Sequence, residues 1–411
     1  MTIRMEHSGT RWRGVSLALA LAMAILPAVV ASPSAQAQHF KVLYNFKRGS
    51  DGAFPQYVTP VQDEAGNLYG TTDLGGAGCG TVFKVDAKTG KETVLHSFGG
   101  DSDGCRPYSG LVLSEGTLYG TTLQGGEWDY CGMRQDITCG TVFSVDIETG
   151  AETVLYSFTG GTDGGFPYGG LVLSSGELYG TTSAECCGYG TVFEVDVNTG
   201  ALTVLHTFDG SHGQNPQSGL TLDATGKVLY GTTPRGGSAD WGLVFSLTIE
   251  TMKYTVLYSF TGSRTGRQPF GTLALDSDGN LYGTTVAGGT YDYGTVFKLD
   301  PGTGAESVLY NFTGKKGDGA YPRGGVTLGE SGSLYGATEF GGSGNCVKGK
   351  DHGCGTVFKL VEGTETVLHS FSGSDGEFPV GGLLLGSGGT LYGTTENGGA
   401  KHAGVVFSLQ P

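Results

Sequence analysis

A single phrase recurs through the chain: Leu-Tyr-Gly-Thr-Thr, a Gly-Gly loop, Gly-Thr-Val-Phe, then Thr-Val-Leu-His/Tyr-x-Phe. Its tyrosine returns as Tyr69, Tyr119, Tyr179, Tyr230, Tyr282, Tyr335 and Tyr392, a period of about fifty residues that belongs to radial β arrays. Each copy holds four short β-branched and aromatic runs separated by Gly, Asp and Asn turns, which is strand chemistry. The fifth copy predicts strand a over 271–276, a turn at Asp278-Gly279, strand b over 280–285 and a Gly288-Gly289 loop. Strand c follows over 294–300, then a Pro301-Gly302 turn and strand d over 306–312. Four antiparallel strands make one blade.

The two ends of the array decide between an open solenoid and a ring. The repeats begin on Val42-Leu43-Tyr44-Asn45-Phe46, which reads as a strand d, and end on residues 404–409, which read as a strand c. The first strand therefore completes the last blade. An open array would need polar capping repeats, which are not seen, and closure removes exposed sheet edges. The expected fold is an all-β, seven-bladed β-propeller of four-stranded blades over residues 38–411. Phe83, Phe143, Phe193, Phe245, Phe297, Phe358 and Phe407 mark strand c, and Phe46, Phe98, Phe158, Phe208, Phe260, Phe312 and Phe371 mark strand d. These rings are the expected core. The seven tyrosines are expected between blades with their hydroxyls on neighbouring backbone, and the glycine after each is expected to make room for the adjacent blade.

Glycine occupies 77 of 411 positions, a fraction that suggests low complexity until the fixed aromatic phases give every repeat something to bury. Ahead of the repeats, Arg4, Arg11 and Arg13 precede an apolar run from Val15 to Ala31 and the small-residue site Ala35-Gln36-Ala37. Those are the three parts of a secretory signal peptide, residues 1–37. The run is shorter than the roughly 20 residues of a membrane span and contains Pro27, so a mature chain starting at Gln38, secreted or periplasmic and without a transmembrane segment, is expected. Loss of the leader moves the net charge from -15 to -17, which disfavours nucleic acid and anionic lipid as partners. Eight cysteines in an exported chain read as disulfides before metal ligands. Cys131 with Cys139, and Cys346 with Cys354, each bracket a loop insertion, while Cys79 and Cys105 fall in successive loops. Cys186 and Cys187 are adjacent, which leaves a strained vicinal disulfide or a redox pair open. No zinc spacing is present, and neither a metal nor a cofactor is expected.

On its Leu-Tyr-Gly-Thr-Thr and Gly-Thr-Val-Phe phrases, from Lys41 to Leu409, the chain resembles the GloVer tandem-repeat proteins, exported "choice-of-anchor" proteins. The resemblance implies an exported repeat array and no particular reaction. The chain departs from that family in stopping at Pro411, directly after a strand, without an anchor segment. The repeat is also similar to those of other bacterial propellers, lactonase-like ones included.

Positions identical in every blade serve the fold, so a ligand site is sought where blades differ. After strand d the chain reads Asp-Gly-x-x-Pro-x-x-Gly, and the residue after proline is expected near the mouth of the central channel: Gln56, Tyr108, Tyr168, Gln217, Phe270, Arg323 and Val380. Amides, aromatic faces and a guanidinium suit a sugar or carboxylated glycan, since rings stack on apolar sugar patches and Arg holds an acid bidentately. Cysteines and insertions share the b–c and d–a loops, on one face. Asp51, Asp103, Asp163, Asp318 and Asp375 read as turn residues rather than calcium ligands, as do Asp86, Asp146, Asp196 and Asp300. His96, His206 and His369 take the strand-d place filled elsewhere by tyrosine. Glu127, Asp129, Glu185, Asp240, Asp292, Glu339, Asp351 and Glu396 lie in b–c loops, where two could act as acid and base, and no catalytic motif singles out a pair. The sequence thus points to a monomeric binding scaffold for an extracellular or envelope glycan or peptide. The alternatives are a carbohydrate-active lyase or hydrolase, a lactonase-like enzyme, or a structural adhesion module.

Overall fold

Each letter of the Leu-Tyr-Gly-Thr-Thr phrase has its own structural partner. The computed structural model describes residues 39–100, 102–127, 131, 138–183, 188–348 and 351–411, without the side chains of residues 348 and 351. The phrase forms strand b of every blade, paired antiparallel to the Gly-Thr-Val-Phe strand c. Its leucine is buried in all blades. Its glycine faces the strand-c phenylalanine directly across the ladder, as Gly283 faces Phe297. A Cβ on Gly283 would lie 2.6 Å from Phe297 Cζ. The glycine therefore makes room for its own blade's phenylalanine, not for the adjacent blade. The second threonine bonds strand c, as Thr72 Oγ1 does with Thr81 Oγ1 at 2.9 Å. The first reaches the next blade, with Thr71 Oγ1 donating to the Ser109 carbonyl at 2.8 Å and Thr284 to that of Gly324 at 2.8 Å. Blade 6 carries Ala337 at this place and has no hydroxyl to donate.

The seven four-stranded sheets form a ring. In blade 5 the strands are a (Ala274–Leu275), b (Leu281–Thr285), c (Thr295–Asp300) and d (Ala305–Asn311). The N-terminal strand, His39–Asn45, lies antiparallel against Val405–Gln410, with Val42 opposite Phe407. Its ladder carries the same one-residue bulge found in every other c–d pair. The last blade is therefore completed from the first strand.

Blades are joined by aromatic edges. Each strand-d phenylalanine meets the strand-c phenylalanine of the following blade edge to face, with centroids 5.1 to 5.5 Å apart, in seven consecutive pairs from Phe46–Phe83 to Phe371–Phe407. Such geometry sets the positive ring edge against the negative face. The strand-b tyrosines pack between blades as expected: Tyr69 sits among Phe98 of its own blade and Leu111, Leu118 and Phe143 of the next. Two of their hydroxyls differ from expectation: Tyr69 donates to the Asp63 carboxylate at 2.8 Å and Tyr282 to Asp276 at 3.0 Å, so in these blades the aspartate after strand a accepts the hydrogen bond in place of neighbouring backbone. At the axis the inner strands approach so closely that a Cβ on Gly110 would lie 2.9 Å from the Thr59 carbonyl, and one on Gly271 2.5 Å from the Gly325 nitrogen.

At the rim, a strand-d residue of one blade covers a tyrosine or histidine of the blade before. Phe40 stacks on His369 at 3.7 Å and Tyr254 on His206 at 3.9 Å, which gives those histidines the packing role read from sequence. In four other blades the covering residue is Glu92, Glu152, Glu306 or Glu365, and each leaves Oε1 buried without a hydrogen bond. Burial pushes all four carboxyls up to about 7. A carboxyl whose native pKa is raised stabilises the fold most below its unfolded value and loses that contribution as pH rises to the native one. Their stabilisation is thus complete below about pH 4.5 and gone above about 7. The quadruple variant Glu92→Gln, Glu152→Gln, Glu306→Gln, Glu365→Gln is expected to flatten the fall in melting temperature between pH 5 and 7.5. Thermal melts of the two chains across that range check it, and parallel curves would refute it.

Candidate functional site

The d–a turn aims the residue after proline at the axis. Before each proline stands a non-glycine residue in the left-handed region: Phe54, Arg106, Phe166, Asn215, Gln268, Tyr321 and Phe378, with φ between 55° and 60°. Such residues are uncommon outside Gly, Asn and Asp. Here the conformation is held from both sides. The N–H of Phe54 donates to the Ala403 carbonyl of the preceding blade at 2.8 Å, and its own carbonyl accepts from Asp73 at 3.0 Å. Because the strained residue appears in all seven blades, it serves the scaffold.

The residues after proline do converge on the axis, with one correction. Tyr57, Tyr168, Gln217, Phe270, Arg323 and Val380 line a cavity of about 300 Å³, and Tyr108 closes the ring beside Tyr57 and Tyr168. Tyr57, not Gln56, takes the blade-1 place. Val61 pairs with Tyr69 just as Val112 pairs with Tyr119, so counting back from strand a aligns Tyr57 with Tyr108 and leaves Gln56 as an extra residue. Counting forward from Pro55 hides this insertion; counting back from the strand reveals it.

The ring has an aromatic arc and a charged arc. Tyr57 and Tyr108 lie 5.2 Å apart and Tyr108 meets Tyr168 edge-on at 5.4 Å. The Arg323 guanidinium lies 5.7 Å from the Phe270 centroid and its Nε donates to Glu339. Arg106, from the residue before proline, makes a two-pronged pair with Asp73 of the preceding blade at 2.8 and 3.1 Å. Both carboxylates are nearly buried, at 4% and 6% side-chain exposure, whereas the arginines keep 35% and 29%. Each guanidinium is thereby fixed while part of it faces solvent. Burial raises the Tyr57 and Tyr108 hydroxyls, Arg323 opposing the rise at Tyr57, so both phenols stay protonated donors. The Asp73–Arg106 pair was hidden in sequence because neither residue recurs between blades and 33 positions separate them.

The model of the Gloeobacter/Verrucomicrobia repeat matches residues 29–187 and 132–348. The chain belongs to that family. No curated protein matches it at the sequence level. Among solved structures, it is similar to the extracellular domain of a one-component system from B. thetaiotaomicron, at 12% identity and TM-score 0.56, over 90% of this chain and 40% of that one. It is also similar to the oligogalacturonate lyase of Vibrio parahaemolyticus, at 14% identity and TM-score 0.52, over 92% and 94% of the two chains. A third is the Niastella koreensis GH74 enzyme, at 17% identity and TM-score 0.51, over 80% and 46%. At these identities the likeness is one of fold.

The loop face of this family member is stapled by three disulfides, Cys79–Cys105, Cys131–Cys139 and Cys346–Cys354, which are the pairings expected and suit an oxidising compartment. Among the described residues no helix is long and apolar enough to cross a membrane. The segment expected to be a leader (1–37), Cys186, Cys187, Asp129 and Glu185 lie outside the described residues, as does the Asp351 side chain. The turn aspartates spend their carboxylates on local amides: Asp51 accepts from Lys47 N and Gly49 N, and Asp86 from Lys88 N and Thr89 N. Of the b–c loop acids, Asp240 accepts from Gly236 N at 2.8 Å, Asp292 pairs with Arg267 at 2.9 Å, and Glu339 holds Arg323. Glu127 lies by the rim near Glu152, and Glu396 faces Tyr57 and Tyr108 electrostatically. The carboxyls raised to about 7 lie on strand d, at the rim, away from the channel.

Proposed function

We propose that this chain is an exported recognition module that binds a glycan end at the channel mouth. The observation that carries the reading is the ring of Tyr57, Tyr108, Tyr168, Gln217, Phe270 and Arg323, on a scaffold whose other turn positions repeat. All but Tyr108 also line a channel cavity of about 300 Å³ that runs on past Gly110, Gly170 and Gly219, a volume at the lower end of small-ligand sites. Aromatic faces take the C–H side of a sugar. Arginines already oriented by buried carboxylates offer N–H groups to its hydroxyl or carboxylate oxygens with little ordering cost. The acids at the mouth are engaged with arginine or face the ring phenols, which favours binding over turnover.

A panel of short oligosaccharides, with bound and newly released species read by mass spectrometry, tests this. Retention without cleavage is expected. Tyr168→Ala, and separately the paired change Arg323→Gln with Glu339→Gln, which leaves no orphaned charge, are each expected to weaken the best ligand about tenfold or more. Unchanged affinity in both, or cleaved products from the unaltered chain, would overturn the reading.

A further inference from the structure

One step outside the mouth ring, each b–c loop ends on the residue whose carbonyl accepts from the residue before the next blade's proline. In blades 1, 2 and 6 that residue is a disulfide cysteine, Cys79, Cys139 or Cys354. In blades 3, 4 and 5 it is Tyr189, Trp241 or Tyr293, and their carbonyls accept from Asn215, Gln268 and Tyr321 at 2.9 to 3.0 Å. Each of those partners stands two residues before a ring member, so the aromatics flank Gln217, Phe270 and Arg323. Tyr189 and Trp241 are also displayed, at 42% and 38% exposure, and in blade 5 the displayed ring is Tyr291 at 49%, two residues before the half-buried Tyr293.

Two features mark the arc as built. Beneath each ring lies a glycine: a Cβ on Gly210 would come within 3.0 Å of the Tyr189 ring, on Gly262 within 3.3 Å of Trp241, and on Gly314 within 2.7 Å of Tyr293. Tyr189 and Trp241 thus each rest on bare backbone, while Tyr293 is also packed against Tyr321 at 5.5 Å. Cations then sit against the exposed rings, Arg267 at 4.9 Å from Trp241 and Lys315 at 5.9 Å from Tyr291. The loops of blades 4 and 5 carry Arg235, Arg264, Arg267, Lys315 and Lys316 against Asp240, Asp292 and Asp318, with Arg267 paired to Asp292, while the blade-3 loop adds Asp209; the sequence of the blade 4 and 5 loops is thus locally positive in a chain whose net charge is -15. Exposed aromatics at successive blades suit successive units of a polymer, and the local charge suits an acidic one.

We propose that the loop face of blades 3 to 5 is a platform for an acidic polysaccharide, with Tyr189, Trp241 and Tyr291 stacking on sugar faces and Arg267 and Lys315 reading carboxylates. The platform uses residues separate from the mouth ring and stands without it.

Native gels cast with alginate, or with dextran as a neutral control, test the proposal on the purified protein. An acidic chain is repelled by alginate, so retardation there requires a local site. Retardation by alginate and not dextran is expected, weakened about tenfold by Trp241→Ala and by Tyr189→Ala and restored in Trp241→Phe. Arg267→Gln with Lys315→Gln is expected to abolish the preference for alginate. Unaltered melting temperatures check that the variants fold. Absence of retardation, equal retardation by dextran, or indifference to Trp241→Ala would each overturn the platform. Tyr168→Ala at the mouth should leave alginate retardation in place while weakening short oligosaccharides, so that either reading can fail alone.

Discussion

Removal of His39–Asn45 is expected to abolish a stable folded ring. Among the described residues that strand supplies the only partner of the Val405–Gln410 edge on its outer side, and it carries Phe40 and Val42 into the cluster around Phe371 and Phe407. Burial of side chains of this size contributes about 1.5 to 3 kcal/mol each. Phe40, Val42 and the buried Leu43 together therefore account for roughly 5 kcal/mol, comparable with the whole stability of many domains. The exposed edge then offers a template for pairing between chains. Size-exclusion chromatography and thermal melts of the truncated chain should show aggregate and loss of the cooperative transition. A permutant in which residues 39–47 follow Pro411 through a short turn restores an ordinary c–d hairpin and should melt like the parent. A truncated chain that stays monomeric with an unchanged melt would mean that the ring closes by packing alone.

Phe297→Ala should cost about 3 to 5 kcal/mol, as large aromatic truncations in cores do. Phe297 is fully buried, meets Phe260 of the preceding blade at 5.2 Å, and fills the space that Gly283 leaves open across the ladder. The cavity therefore opens at a seam between blades, where neither sheet can shift without breaking its own ladder. Adding Phe260→Ala should cost less than its separate effect, by about 0.5 to 1.5 kcal/mol, because the edge-to-face term is already lost. Denaturant titrations of the single and double variants measure both quantities. Met252→Ala, at a site 50% exposed, is the control and should stay within about 0.5 kcal/mol of the parent.

The blade architecture was legible because each strand repeats with the same phase. Seven copies of a glycine opposite a phenylalanine, and five of a cross-strand threonine pair, leave little freedom in register, and the strand-d sequence at Val42 announced closure before any contact was seen. What stayed hidden was whatever departs from the repeat. Gln56 shifts one turn by a residue, so the ring position belongs to Tyr57. The Asp73–Arg106 pair joins an acid and an arginine that meet in this way at one pair of repeat positions, where the other blades carry different residues. The hydroxyls of Tyr69 and Tyr282 were misassigned because their acceptors, Asp63 and Asp276, follow the short strand a and carry no repeated signal that pairs them with the tyrosine. The glutamates at Glu92, Glu152, Glu306 and Glu365 share a strand position, yet their burial follows from the neighbouring blade's ring, which no local pattern reveals.

The measurement that bears most directly on the channel-mouth reading is a structure of the protein bound to the tightest oligosaccharide of the panel. The account predicts a sugar ring against Tyr108 and Tyr168, with polar contacts to Arg323 or Arg106 at the mouth. A ligand seated on the strand-d rim or at the opposite end of the channel, with the ring of Tyr57, Tyr108, Tyr168, Phe270 and Arg323 untouched, would contradict it.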